Sequence, residues 1–229
     1  MTHDHSRRTL ILGVGALAVA TSTGSGALAK PSAAGPWVAR IGVASPEAVA
    51  QVGAQLGARP RPVPTRHLSP GHRAASFGLA GVDVEFEDSD PASHALAGQG
   101  GRVGLVAQDP DRIAARARQA GLRVFRDWMV AGQRVIELDP GPLGARFEIV
   151  GILAPEAVCA PTRVTGVVVA CADPQRAAAL AGAIFEAPVQ DAVANLAGFP
   201  VRFVQSAPAD RKGVVALNLA DARRREVRV

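Results

Sequence analysis

Arg102-Val103-Gly104-Leu105-Val106-Ala107-Gln108-Asp109-Pro110-Asp111 decides the fold, because it passes from an apolar run through Asp-Pro into an alanine-rich stretch. The same step occurs as Ser45-Pro46-Glu47 after Arg40–Ala44, and as Asp173-Pro174-Gln175 after Val167–Cys171. The three copies stand at 45, 109 and 173, so the period is 64 residues each time. Ser and Asp are N-cap residues whose side-chain oxygen takes an orphan amide, and proline suits the first helical position because its missing N–H is not needed there. A strand that turns through a cap into a helix at a fixed period is a repeated unit.

Working outward, the second unit is the most complete. Its strand Arg102–Val106 leads to a helix over Pro110–Ala120 closed by Gly121, a C-terminal stop signal. Strands are expected near Leu122–Phe125, Gln133–Leu138 and Ala145–Val150, the last two joined by the turn Asp139–Gly144. The first unit has the strand Arg40–Ala44, a helix from Pro46 to about Leu56, and strands at Ala74–Leu79 and Val82–Glu87. Strict alternation in Val82-Asp83-Val84-Glu85-Phe86-Glu87 marks a half-buried strand with acids on one face. The plan is β-α-β-β-β, twice. A third unit begins with Val164–Cys171, the helix Pro174–Phe185 and the strand Pro200–Gln205. A fourth only starts, at Val214–Leu219 with Asp221 as its cap.

These residues resemble the vicinal oxygen chelate superfamily, which includes glyoxalase, bleomycin-resistance and extradiol-dioxygenase proteins. The likeness is carried by the strand–cap–proline–helix starts and by Asp139-Pro140-Gly141 followed by Arg146-Phe147-Glu148-Ile149-Val150, similar to the family's D-P-x-G and final acidic strand. The resemblance implies an α+β fold in which paired βαβββ modules form a cupped mixed sheet with helices outside, followed by an incomplete second pair. The expected organisation is a leader over 1–29, a paired-module domain over 37–152, and a third module with a partial fourth over 163–229.

In metal-dependent relatives the first and last strands carry His, Gln or Glu around a divalent ion. Here the last-strand positions match Glu85 and Glu148, while the first-strand positions hold Arg40 and Arg102. Alternation turns Ile41, Val43, Val103 and Leu105 toward the helices and the two arginines into the cup. Arginine stays protonated and has no lone pair for a metal. Two arginines and two glutamates neutralise one another, and a dication added to them would meet repulsion on the order of several kcal/mol. The expected ligand-binding set is therefore Arg40, Arg102, Glu85, Glu148 and His67, with no cofactor and no metal. The alternative keeps a zinc, iron or manganese ion on His67, Glu85 and Glu148, with Glu85 or Glu148 as the catalytic carboxylate of a lyase or dioxygenase. In the third module Gly166 is read at the Arg102 position and Val204 at the Glu148 position, so that half reads as structural.

The 229 residues are 48% hydrophobic and carry a formal charge of +5, with Lys30 and Lys212 the only lysines. Such a chain can bury a core. Scattered arginines with seven Phe, two Trp and no Tyr do not suit nucleic-acid stacking, so no nucleic-acid partner is expected. Arg223-Arg224-Arg225 reads as a solvated helix face or tail. Ser6-Arg7-Arg8-Thr9-Leu10-Ile11-Leu12 resembles a twin-arginine export signal, with Ala27-Leu28-Ala29 as its cleavage site. The apolar run Leu10–Ala20 is shorter than the ~20 residues of a membrane span. A periplasmic or secreted protein with no stable span after cleavage is expected. The sequence leaves open whether Cys159 and Cys171 pair. Gly98-Gln99-Gly100-Gly101 precedes a strand rather than following one, so it is not a dinucleotide loop.

Three functions follow in order: binding of a small organic ligand without a metal, metal-dependent glyoxalase-like catalysis, and an assembly module completed by a partner chain, a homodimer included.

Overall fold

A computed structural model describes residues 36–43, 53–54, 61–62, 74–79, 82–87, 101–130, 133–151, 163–206, 213–220 and 226–228. Two mixed sheets organise them. The first has eight strands: β1 (Trp37–Val43), β2 (Arg61–Pro62), β3 (Ala74–Leu79), β4 (Val82–Glu87), β5 (Arg102–Ala107), β6 (Val124–Val130), β7 (Gln133–Leu138) and β8 (Arg146–Gly151). Their order is β2-β3-β4-β1-β5-β8-β7-β6, which reads alike from either edge toward the central antiparallel pair β1–β5. The second sheet has β9 (Arg163–Cys171), β10 (Val189–Gln190), β11 (Val193–Leu196), β12 (Phe199–Gln205), β13 (Gly213–Ala220) and β14 (Glu226–Arg228), in the order β10-β11-β12-β9-β13-β14.

Module repetition is visible in the pairing. In each of three modules the first strand lies parallel to the last: β1 to β4, β5 to β8, and β9 to β12. The β9–β13 pair repeats the antiparallel junction of β1 with β5. Beyond it the plan changes, because β13 is followed by β14 in an antiparallel ribbon. The incomplete second pair is thus closed, among the described residues, by a short edge strand.

Two of the three expected caps are described and fall where the sequence puts them, while Ser45 lies outside the described residues. Helix α1 (Pro110–Gln119) starts at Asp109, whose Oδ1 accepts the Arg112 amide at 3.0 Å. Helix α3 (Pro174–Phe185) starts at Asp173, which accepts the Arg176 amide at 3.0 Å. Asp139 caps a four-residue helix, α2 (Pro140–Leu143), inside the stretch read as a turn. Other boundaries move for physical reasons. The strand expected at Leu122–Phe125 begins at Val124, because the Leu122 amide donates back to the Ala117 carbonyl at 2.8 Å and its side chain is buried. The hairpin β10–β11 and strand β14 are too short to leave an alternating pattern. Of the helix expected over Pro46–Leu56, only 53–54 lie within the described residues.

One core joins both sheets. Ile41, Val103, Leu105 and Phe147 share it with Ala114 and Ala117 of α1, and with Val167, Val169 and Phe203 of the second sheet. Phe147 of β8 stacks on Phe185 at the end of α3, with ring centroids 5.5 Å apart. On the outside of the same junction, Glu186 accepts from Arg112 of α1 at 2.7 Å and is also paired with Arg116. Cys171 lies fully buried in this core as a free thiol, and burial pushes its ionisation up. Among the described residues no helix is long and apolar enough to cross a membrane.

The sheets approach through glycine. Gly144 ends α2 with φ +81°, and a Cβ there would stand 2.6 Å from both the Ala170 carbonyl oxygen and Cys171 Cβ on β9. Gly121 also has positive φ, +77°, but a Cβ there would meet nothing within 4 Å. Gly121→Ala therefore tests backbone strain alone and should cost about 1 kcal/mol. Gly144→Ala adds overpacking between the sheets and should cost about 3 kcal/mol. Urea unfolding of both variants measures the difference, and equal losses would mean that the junction yields freely.

Candidate functional site

Strand alternation gives the eight-stranded sheet one apolar face, which carries the core, and one charged face. Register builds the charged face in two rows. One runs Asp83, Arg40, Gly104, Glu148, Glu137 and Arg126 across six strands. The other runs Ser76, Glu85, Gly42, Arg102 and Arg146. Arg40, Arg102, Glu85 and Glu148 are thus brought by the backbone to neighbouring positions. The side chains of Arg40 and Glu85 lie outside the described part of the chain, and so does all of His67.

Arg102 and Glu148 are 7% and 3% exposed, and their side chains meet at 3.3 Å between Nη1 and Oε2. Gly42 makes this possible. A Cβ on Gly42 would lie 3.1 Å from Arg102 Cβ and 3.5 Å from its Nε, so the arginine stem occupies the space that the glycine leaves. The sequence reading paired these two residues but did not give Gly42 a part.

Three further residues were not singled out from the sequence. Glu137 of β7 is the direct register partner of Glu148 and is 3% exposed. Its Oε1 lies 3.5 Å from Arg146 Nη1, and its Oε2 lies 3.9 Å from Arg126 Nε. Burial pushes the Glu137 carboxyl above its ordinary range; Glu148 adds to that push, while Arg146, Arg126 and Arg102 oppose it. A signal was present, since Glu137 is the one acid between Ile136 and Leu138 in an apolar strand. The described side chains of the cluster are three arginines and two glutamates, and the two rows as a whole carry four arginines and four acids.

Among the described residues the second sheet carries no copy of this cluster. Val168 pairs with Arg202 as Gly104 pairs with Glu148, so Arg202 stands at the glutamate position where the sequence alignment put Val204. Arg202 instead reaches Glu226 of β14 at 2.5 Å.

The described residues do not fit a divalent ion. Among them no group of three or more His, Cys, Asp or Glu comes together as a ligand set. Both buried carboxylates are already engaged by guanidiniums. A dication about 5 Å from one arginine, at an effective dielectric constant of about 20, is repelled by roughly 7 kcal/mol. The alternative set of His67, Glu85 and Glu148 extends beyond the described residues at two of its three members.

No protein-family model matches the chain, and no curated protein matches it in sequence. Solved structures do. A mutant of 4-hydroxymandelate synthase from Streptomyces coelicolor aligns over 81% of this chain and 71% of its own, with 13% identity and a TM-score of 0.53. Methylmalonyl-CoA epimerase from the same organism, in complex with 2-nitronate-propionyl-CoA, aligns over 54% of this chain and 100% of its own, with 22% identity and a TM-score of 0.38. The class is that of α+β proteins built from paired βαβββ modules. The fold is shared with the 4-hydroxymandelate synthase structure, as expected for paired modules of this kind. At such identities the likeness extends to the fold alone.

Two expectations concern stability. Arg102→Ala breaks a buried pair from one side and should destabilise the protein by about 3 kcal/mol, read from the urea midpoint. For Glu137 the folded pKa lies above the unfolded one, so the native state holds the extra proton. Its contribution is fully present below about pH 4.5, the ordinary value, and is lost as pH rises through the elevated folded value. Glu137→Gln should therefore gain stability relative to the natural chain as pH rises from 4.5 to 8. A pH-independent difference between the two would refute this.

Proposed function

We propose that the protein binds a small organic anion on the charged face of the eight-stranded sheet, at Arg102, Arg126 and Arg146. The observation that carries this reading is that Arg126 and Arg146 stand partly exposed at the rim of a cluster whose Arg102, Glu137 and Glu148 are buried. A carboxylate or phosphate can replace one internal carboxylate in a bidentate arginine contact, and such charge-assisted bonds are strong where water is scarce. Arg126 and Arg146 are the more exposed members, with side chains 55% and 22% exposed, so they are the arginines that an incoming anion meets without breaking the Arg102–Glu148 pair. Burial of the Glu137 carboxyl makes it lose its negative charge at a higher pH than an ordinary carboxylate, which favours an anion as pH falls. Arg40 and Glu85 share the same rows and belong to the proposed site by position. Export across the cytoplasmic membrane remains part of the proposal on the strength of the Arg7-Arg8 leader alone.

Isothermal titration at low salt with succinate and phenyl phosphate tests the reading. Saturable binding of at least one probe is expected, weakened about tenfold in Arg146→Met while the far-UV circular dichroism spectrum is unchanged. No saturable binding by either probe, or equal affinity in the variant, would overturn it.

A further inference from the structure

Strand β6 breaks its alternation at the edge of the charged face. Val124 pairs with Leu138 and Arg126 with Glu137, so Phe125 is the extra residue of a β-bulge. Unbroken alternation from Val124, whose partner Leu138 is buried in the core, would put Phe125, Asp127 and Met129 on the charged side. The bulge puts Arg126 and Trp128 there instead, opposite Glu137 and Val135. We infer that the anion bound at this face carries an aryl group, with its charged end at Arg126 and its ring against Trp128. The inference rests on the proposed anion site and names the kind of anion that it takes.

Three observations support it. Register sets an apolar row, Val106, Val150, Val135 and Trp128, next to the row that holds Glu148, Glu137 and Arg126. The three valines are buried although they lie outside the core that the sheets share with the helices, and Trp128 is the partly exposed end of their row. Arg126, for its part, is placed rather than loose. Its guanidinium lies 5.3 Å from the Phe125 ring centroid and its Nε 3.9 Å from Glu137 Oε2, while 55% of its side chain stays exposed. The bulge also turns Asp127 to the other side, where it meets Arg134 at 2.6 Å, so its negative charge does not stand between Arg126 and Trp128. Finally, the spacing suits one small molecule. Alternate residues of a strand stand about 7 Å apart, the reach of a carboxylate joined to a ring through a short alkyl chain. A flat ring gains from stacking on an indole as well as from apolar contact.

The test is isothermal titration at low salt with butyrate and 4-phenylbutyrate, which differ by the ring alone. It uses the natural chain, Trp128→Ala, Trp128→Phe and Arg126→Met, each variant shown to be folded by circular dichroism. The natural chain is expected to bind 4-phenylbutyrate about tenfold more tightly than butyrate. Trp128→Ala should bring that ratio close to one and Trp128→Phe should largely keep it, whereas Arg126→Met should weaken both acids alike. A tryptophan with a structural role only would change both affinities together and leave the ratio intact. On the natural chain, irradiation of the Trp128 indole protons, assigned with Trp128→Phe, should transfer saturation to the phenyl ring of the bound acid. Equal affinity for the two acids on the natural chain would overturn the inference. So would a ratio that survives in folded Trp128→Ala, a ratio that collapses in Arg126→Met, or the absence of saturation transfer. Succinate and phenyl phosphate are titrated in parallel. Saturable binding of either without a preference for 4-phenylbutyrate over butyrate overturns the inference and leaves the proposed function standing, whereas no binding by any of the four probes overturns both.

Discussion

A slip of β8 by one residue against β5 would turn Glu148 into the hydrophobic core and Phe147 out of it, because side chains alternate across a strand. The observed register, with Arg102 beside Arg146 and Gly104 beside Glu148, is therefore enforced from both faces of the sheet. On one face Val103, Leu105, Phe147 and Ile149 must be buried. On the other, two carboxylates with almost no exposed surface must meet guanidiniums. Either demand alone would penalise the slip. Together they hold the charged cluster on a rigid parallel pair rather than on loops.

The two sheets use the same plan to different ends. In the first, Gly42 and Gly104 stand at register positions opposite arginines across the central pair, and Gly42 leaves room for the Arg102 stem. In the second, the equivalent rows carry Gly166, Val168 and Arg202, and the arginine spans toward β14 instead of meeting a buried acid. The second sheet contributes interior surface: Phe185, Val169 and Phe203 complete the core that begins at Phe147. The charged chemistry is concentrated on one side of the molecule and the packing support on the other.

Much of this was legible in the sequence, for local reasons. Asp109 and Asp173 announce their helices because cap and proline act within a single turn. Arg102 and Glu148 could be paired because alternation fixes the faces of their strands and module repetition makes those strands neighbours. Glu137 was passed over because attention to first and last strands left out β7, which brings a second carboxylate beside the first. The use of Gly144 and Gly42 as points of close approach is tertiary, and nothing next to them in the chain reveals it. The alignment of Val204 with Glu148 failed for a related reason. Counting back from a strand's end misses the two-residue difference in how β12 lies against β9.

The stacking of Phe147 on Phe185 has a consequence for how the chain can be divided. Each ring is the other's cover, and α1 and α3 sit at the same seam. A gene fragment encoding only the eight-stranded half would emerge with an aromatic-lined, oily flank open to water. Such a fragment would self-associate rather than stay dispersed, so the halves of this protein are not interchangeable parts.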